Sequence, residues 1–199
     1  MLKSTLNNRM EICIISGSAR ANNNTHRVSL AIEKLLKQEH SVTVIDFKEY
    51  DIPSLAQGGL KVNALSKFQD SLIQALQKAQ VVLMVSPEYN WSATPEILNM
   101  LNLIPNKPFD LILNEKVFGF VGVSTGKGGK VPALQMMQIV QKLISFGNHD
   151  SIVSARIFEA HFVKEVLDDK GNSLGNPLFD KGLSDFCSYT LRIAQRWFS

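Results

Sequence analysis

The sequence predicts a three-layer α/β fold, in which helices cover both faces of a five-stranded parallel sheet of order 2-1-3-4-5. Apolar, β-branched runs alternate along the chain with segments of helical periodicity. Residues 81–85 form an unbroken apolar run closed by Ser86 and Pro87, which is typical of a strand buried on both faces. Polar and glycine-rich loops follow several of these runs, where open parallel sheets bind ligands.

Length and composition indicate one globular domain. The 199 residues fit a flexible tail at 1–9 and a single domain at 10–199. A formal net charge of +3 without a basic cluster argues against nucleic acid as a partner. No apolar run is long enough for a membrane span, and the N-terminus lacks the apolar core of a signal peptide, so we expect a cytoplasmic protein. Cys13 and Cys187 lie in apolar patterns and are expected to be buried, reduced thiols.

The first half of the chain contains three predicted strands and three predicted helices. The strands are expected at 10–16, at 41–47 and from Val81, and the helices from about Thr25, over 65–79 and over 95–103. Asn24 or Thr25 can cap the first helix, and Pro95 suits the first turn of the third. Residues 48–64 and 104–114 contain prolines or glycines and should be irregular.

The second half continues the alternation. Strands are predicted at 116–124 and 150–157, and helices at 133–146 and 183–198. Residues 160–179 have no clear periodicity, although the turn signal at 168–172 could close a hairpin.

The loop after the first strand is suited to an anion. Gly17 is followed by Ser18, Arg20 and Thr25, and a helix begins there. Backbone N–H groups at a helix N-terminus favour negative charge, and a guanidinium binds phosphate oxygens. The loop matches neither Walker A nor Gly-x-Gly-x-x-Gly, which argues against a nucleoside triphosphate and against Rossmann-type dinucleotide binding. Taken alone, the loop is explained equally well as an ordinary capped turn.

Two further loops are expected at the same edge of the sheet. Pro87, Glu88, Tyr89 and Asn90 follow the third strand, and the glycine-rich segment 124–130 follows the fourth. Each loop alone could be a plain turn. Strands one, three and four are neighbours in the predicted order, so the three loops should meet at one crevice suited to a planar ligand with polar edges.

Together these loops resemble those of the NADPH-dependent FMN reductase family, which includes quinone, chromate and azo-dye reductases. The resemblance covers about 11–157 and rests on Gly17-Ser18-Ala19-Arg20 with 23–25, on Pro87-Glu88-Tyr89-Asn90 followed by Ser92, and on Ser124-x-Gly126-x-Gly128-Gly129. It implies a flavodoxin-like fold, noncovalent FMN, NADPH or NADH as co-substrate, and a homodimer or homotetramer.

The resemblance also implies which residues contact the cofactor. The FMN phosphate would be held by Ser18, Arg20, Asn24 and Thr25. The isoalloxazine ring would be lined by Pro87, Glu88, Tyr89 and Asn90. Its polar edge would meet Ser124, Gly126, Gly128 and Gly129, whose N–H groups could stabilise charge on the reduced ring.

The chain departs from the family pattern at two places. Asn23 stands where a serine is usual, so we expect one phosphate-binding hydroxyl fewer. Residues 94–99 read Thr-Pro-Glu-Ile-Leu-Asn instead of the usual Pro-Gly and Leu-Lys-Asn, which puts a subunit contact of that lysine in doubt.

The implied reaction takes place on the flavin, so no catalytic residue is predicted. Hydride would pass from NAD(P)H through flavin N5 to a quinone, free flavin or similar small acceptor in a ping-pong mechanism. Glu88 is interpreted as a structural carboxylate bonded to backbone. Trp91 could cover the ring or lie in a dimer contact, and Lys127 and Lys130 could meet a 2′-phosphate or be solvated.

No metal site is expected, because His26, His40, His149 and His161 show no metal-ligand spacing and each suits a surface position. Two other classes of function are open: a one-electron carrier like the flavodoxins, and a domain that has lost its cofactor and only binds partners. The net charge disfavours the carrier, because flavodoxins are typically strongly acidic.

Overall fold

The sheet found in the computed structural model, which describes residues 9–199, is parallel and five-stranded with the order β2-β1-β3-β4-β5. The predicted strand order is therefore confirmed. Of the predicted tail, residues 1–8 lie outside the described residues. The strands are β1 Glu11–Ser16, β2 Ser41–Asp46, β3 Val81–Pro87, β4 Val117–Val123 and β5 Ile152–Ala160.

Strand β3 lies at the middle of the sheet and is buried from Val81 to Ser86. It pairs with β1 on one side, where Val85 is opposite Ser16, and with β4 on the other, where Pro87 is opposite Val123. The carboxyl ends of β1, β3 and β4 consequently lie side by side, so the loops that follow them share one edge of the sheet.

Helices cover both faces of the sheet and make the predicted three layers. They are α1 Asn24–Leu36, α2 Lys67–Lys78, α3 Pro95–Leu103, α4 Lys130–Gly147, α5 Val163–Val166 and α6 Pro177–Trp197. One core contains Val28 of α1 and Phe186 of α6, and the other contains Leu72 of α2, Ile97 of α3 and Met136 of α4. Within residues 9–199, no helix is both long and apolar enough to cross a membrane.

Local capping chemistry moves several helix boundaries from their predicted positions. The cap of α1 is Asn23, whose Oδ1 accepts from the His26 N–H at 2.7 Å, and not Asn24 or Thr25 as predicted. Helix α6 begins at Pro177, because Asn176 caps it and proline fits the first turn. The sequence prediction placed this start at residue 183, because it followed only the apolar periodicity.

The last strand is longer than predicted, and two small elements follow it. Strand β5 extends to Ala160, three residues past its predicted end, with a register shift against β4 between Phe118 and Phe120. The predicted hairpin at 168–172 is present, because Leu167 and Ser173 form an antiparallel bridge across it. Between β5 and this hairpin lies the single turn α5.

Helix α3 is buried by the chain itself. Ile97 and Leu101 belong to the core under the sheet and are 0 % and 3 % exposed. The apolar pattern of α3 is therefore explained by the core of the chain itself and is no evidence for a subunit interface. Cys13 and Cys187 are buried and free, as predicted.

Candidate functional site

A cavity of about 300 Å³ lies at the carboxyl edge of the sheet, between the loops after β1, β3 and β4. Eight of the twelve predicted site residues line it: Ser18, Arg20, Asn24, Thr25, Pro87, Glu88, Tyr89 and Ser124. The other four, Asn90, Gly126, Gly128 and Gly129, lie in the same loops but outside the lining. A larger cavity of about 560 Å³, lined by Gln80 and Lys116 at the starts of β3 and β4, contains none of the predicted residues.

Asn23 shapes the first loop. Its Oδ1 caps α1, and its Nδ2 donates to the Arg20 carbonyl at 2.7 Å. An amide can accept and donate at once in this way, because it carries both an oxygen and an NH₂ group. Asn23, which stands where a serine is usual, therefore bonds the loop to the N-terminus of α1.

The first turn of α1 presents an unused hydroxyl to the cavity. Thr25 is 0 % exposed, and within the described residues its Oγ1 has no hydrogen-bond partner. The buried Asn24 Oδ1 is also unpaired there, and the amide can turn to present its donors instead. Because a buried polar group without a partner is costly, these atoms fit an anionic ligand such as the FMN phosphate at the N-terminus of α1.

Arg20 connects the first two loops. Its side chain is exposed, and its guanidinium carbon lies 4.4 Å from the centre of the Tyr89 ring, a cation–π arrangement. The phosphate contact predicted for Arg20 remains a prediction.

The loop after β3 is a tight hairpin. Tyr89 and Ser92 exchange two backbone hydrogen bonds of 2.9 and 3.0 Å, and Asn90 and Trp91 both have positive φ, as in a type I′ turn. Gln135 of α4 accepts from the Ala93 N–H and the Ser92 hydroxyl and so holds the hairpin on α4. Asn90 lies at the tip of the turn, and Trp91 is 76 % exposed.

The glycine-rich loop donates its N–H groups inside the protein. The Gly129 N–H donates to Glu88 Oε2, the Gly128 N–H to His161 Nδ1 at 3.2 Å, and the Gly126 N–H to Ser124 Oγ at 3.3 Å. Glu88 is thus bonded to backbone, as the sequence interpretation held. The contact of these N–H groups with the flavin edge remains a prediction.

Close packing explains two of the glycines in and under this loop. Gly129 has a φ of 93°. A Cβ added to Gly122 of β4 would lie only 1.6 Å from the carbonyl oxygen of Gly129. The glycine-rich loop therefore rests directly on the β4 backbone. The sequence could have indicated this contact, because a glycine inside a strand, here Gly122, often marks a close approach of another backbone segment.

Sequence reasoning missed some residues at the site. Lys164 lines the cavity although it comes from α5. His161 contacts the glycine-rich loop through Gly128, and His40 is buried and accepts from the Met10 N–H, so the surface position predicted for His40 is wrong. Burial lowers the pKa of His40. These contacts join residues far apart in the chain, and local pattern carries no signal for them.

The family model of the NADPH-dependent FMN reductases matches residues 10–155, which include all three loops of the cavity. The chain belongs to this family. FMN is accordingly its cofactor, with NAD(P)H as co-substrate, and the protein is an oxidoreductase. The buried, unpaired Thr25 hydroxyl at the N-terminus of α1 fits the phosphate of this cofactor.

Solved flavoenzymes share the fold at low sequence identity. FerB, a flavoenzyme NAD(P)H:acceptor oxidoreductase from Paracoccus denitrificans, is 15% identical with a TM-score of 0.72, covering 94% of this chain and 98% of its own. RosB, solved with 8-demethyl-8-formylriboflavin-5'-phosphate, is 14% identical with a TM-score of 0.66, covering 94% of this chain and 79% of its own. The apo form of the NADH:FMN oxidoreductase EmoB is 16% identical with a TM-score of 0.60, covering 90% and 89%. A search of curated proteins finds no match.

We expect Gly122→Ala to destabilise the protein by about 1–3 kcal/mol, because the added methyl group would force the Gly129 carbonyl away from β4. Gly126→Ala is the matched control, since nothing lies within 4 Å of its added Cβ, and it should change the free energy of unfolding by less than about 0.5 kcal/mol. Urea unfolding followed by circular dichroism measures both. Equal free energies of unfolding for the two variants would contradict the close packing of this loop on β4.

Proposed function

We propose that this FMN reductase transfers reducing equivalents from NAD(P)H to a quinone, free flavin or similar small acceptor in a ping-pong mechanism. The observation that carries the proposal is the cavity itself. It joins the N-terminus of α1 with its unpaired Thr25 hydroxyl to the wall formed by Pro87 and Tyr89. Membership of the family supports the use of NAD(P)H.

The protein contributes binding and orientation. Ser18, Asn24 and Thr25 would hold the phosphate at the N-terminus of α1, where the helix dipole also favours negative charge. Pro87, Glu88 and Tyr89 would line the ring, and Ser124 its polar edge, with Asn90, Gly126, Gly128 and Gly129 supporting these loops. When bound, FMN supplies the hydride-accepting and hydride-donating centre at its N5.

The contacts of Glu88 support a structural role. Its carboxylate accepts from the Gly129 N–H, so it holds the glycine-rich loop against the loop after β3. The role that this arrangement gives to Glu88 is to keep two walls of the cavity at a constant separation.

We expect the purified protein to oxidise NADPH or NADH with a quinone or free FMN as acceptor. Because both substrates would use the same opening, they should bind in turn, giving parallel lines in double-reciprocal plots and competitive inhibition by each substrate at high concentration. Steady-state kinetics at varied concentrations of both substrates tests this expectation. Intersecting lines would show that both substrates are bound together and would contradict the ping-pong mechanism.

The dependence of the activity on FMN is tested with a separate variant. Thr25→Val keeps the shape of the side chain and removes the hydroxyl, so it should raise the FMN concentration for half-maximal activity about tenfold and leave the rate at saturating FMN unchanged. Flavin bound without any NADPH or NADH oxidation would instead place the protein among the electron carriers.

We also propose a homodimer or homotetramer. With α3 buried in the core, the support comes from three exposed apolar side chains, Trp91, Val131 and Leu134, which are 76 %, 46 % and 43 % exposed. The hairpin that carries Trp91 is bonded to Gln135 of the same helix, α4. A cytoplasmic location remains a prediction from the sequence.

Light scattering at micromolar concentration should give two or four times the 22.2 kDa chain mass. Leu134→Glu should shift the mass towards the monomer, because a charge in a buried apolar contact is unfavourable. Phe146→Glu is the control, since Phe146 is 82 % exposed near the other end of α4 and should leave the mass unchanged. A monomeric mass for the unmodified protein would refute the oligomer.

A further inference from the structure

Lys164 is a cation in the cavity that the proposed function does not use. It belongs to the turn α5, between β5 and the hairpin, and lines the cavity together with Asn24 and Thr25. Its side chain is exposed, and among residues 9–199 no carboxylate lies within ion-pair distance of its Nζ. Its position near the N-terminus of α1 is held by neighbouring contacts.

The segment that carries Lys164 is clamped onto α1. Arg27 Nη1 donates to the Leu167 carbonyl at 3.3 Å, and Arg27 also pairs with Asp169. Two turns further along α1, Lys34 Nζ donates to the Lys170 carbonyl at 2.7 Å and contacts Asn172 Oδ1. The segment is therefore attached to the same helix whose N-terminus faces the cavity.

The hairpin at 168–172 is closed by its own hydrogen bonds. The Asp168 carboxylate accepts from the Lys170 and Asn172 N–H groups at 2.9 and 2.8 Å and from Asn172 Nδ2 at 2.7 Å. The hydrogen bonds from Asn172 lower the pKa of Asp168. Gly171 packs so closely on α1 that an added Cβ would lie 2.6 Å from the Arg27 carbonyl oxygen. These contacts hold the hairpin that follows α5 against α1.

We propose that Lys164 is a phosphate-binding residue for FMN, supplied to the N-terminus of α1 by the clamped segment 163–173. The inference rests on the proposed binding of the FMN phosphate there. Lys164 lines the same cavity as Asn24 and Thr25 of the first turn of α1. Arg20 stacks on Tyr89, so Lys164 is the cation in the lining that has no such aromatic partner.

The phosphate of the flavin is the preferred partner over a phosphate of the dinucleotide. Lys164 shares the cavity with the buried Thr25 hydroxyl, which is the atom that lacks a partner. Lys127 and Lys130, the lysines that could meet a dinucleotide phosphate, are exposed and lie outside the lining of the cavity. Lys164 should therefore distinguish FMN from riboflavin and leave the choice between NADPH and NADH unchanged.

The test is a titration of apo-protein with FMN and with riboflavin, followed by flavin fluorescence. Lys164→Gln should raise the Kd for FMN about 3- to 10-fold and leave that for riboflavin unchanged, and the effect should shrink in concentrated salt, as exposed charge pairs do. Lys37→Gln removes the same charge at the far end of α1, about 20 Å away, and should leave both Kd values unchanged.

The clamp is tested with Arg27→Met, which should also weaken FMN relative to riboflavin. In the Lys164→Gln background it should cause no further loss of that preference, because both changes act through one contact. An unchanged Kd for FMN in Lys164→Gln, or equal losses for both flavins, would overturn the role of Lys164. A raised KM for NADPH but not NADH would overturn it by placing the lysine at the dinucleotide. If the unmodified protein failed to prefer FMN over riboflavin, the proposed phosphate site would be refuted, and the role of Lys164 would be refuted with it.

Discussion

The site depends on the position of β3 between β1 and β4. A strand that is buried from Val81 to Ser86 has to lie inside the sheet, and its parallel pairing on both sides brings three carboxyl ends to one edge. The cavity at that edge lies next to β1, where the chain changes direction across the sheet. Such a switch point is the place where doubly wound sheets bind ligands. The fold therefore decides where the cofactor can bind, and the loops decide what binds.

The loops are connected to one another by polar contacts, so the walls of the cavity keep their positions. The Thr94 hydroxyl donates to the Gly17 carbonyl at 2.7 Å and joins the loop after β1 to the start of α3. Glu88 joins the loop after β3 to the glycine-rich loop through the Gly129 N–H. Such contacts fix the binding geometry before a ligand arrives, which lowers the ordering that binding requires.

Sequence patterns were sufficient for the strand order, for both core layers and for most of the cavity lining, because these depend on apolar periodicity and on local turn chemistry. They failed where the outcome depends on contacts between distant segments. The burial of Ile97 by the chain's own core, the bond of the Gly128 N–H to His161 and the position of Lys164 in the cavity all require the folded arrangement. The capping role of Asn23 was local, and it was missed because two neighbouring residues could serve equally well.

The central claim is that this cavity holds FMN by its phosphate at the N-terminus of α1. The most direct measurement is the ratio of the dissociation constants of riboflavin and FMN for the unmodified apo-protein, at one fixed salt concentration. A phosphate bound by the α1 N–H groups and the Thr25 hydroxyl predicts that FMN binds at least about 100-fold more tightly, since hydrogen bonds to a charged group contribute about 1.5–3 kcal/mol each. Equal affinities for the two flavins would contradict the account.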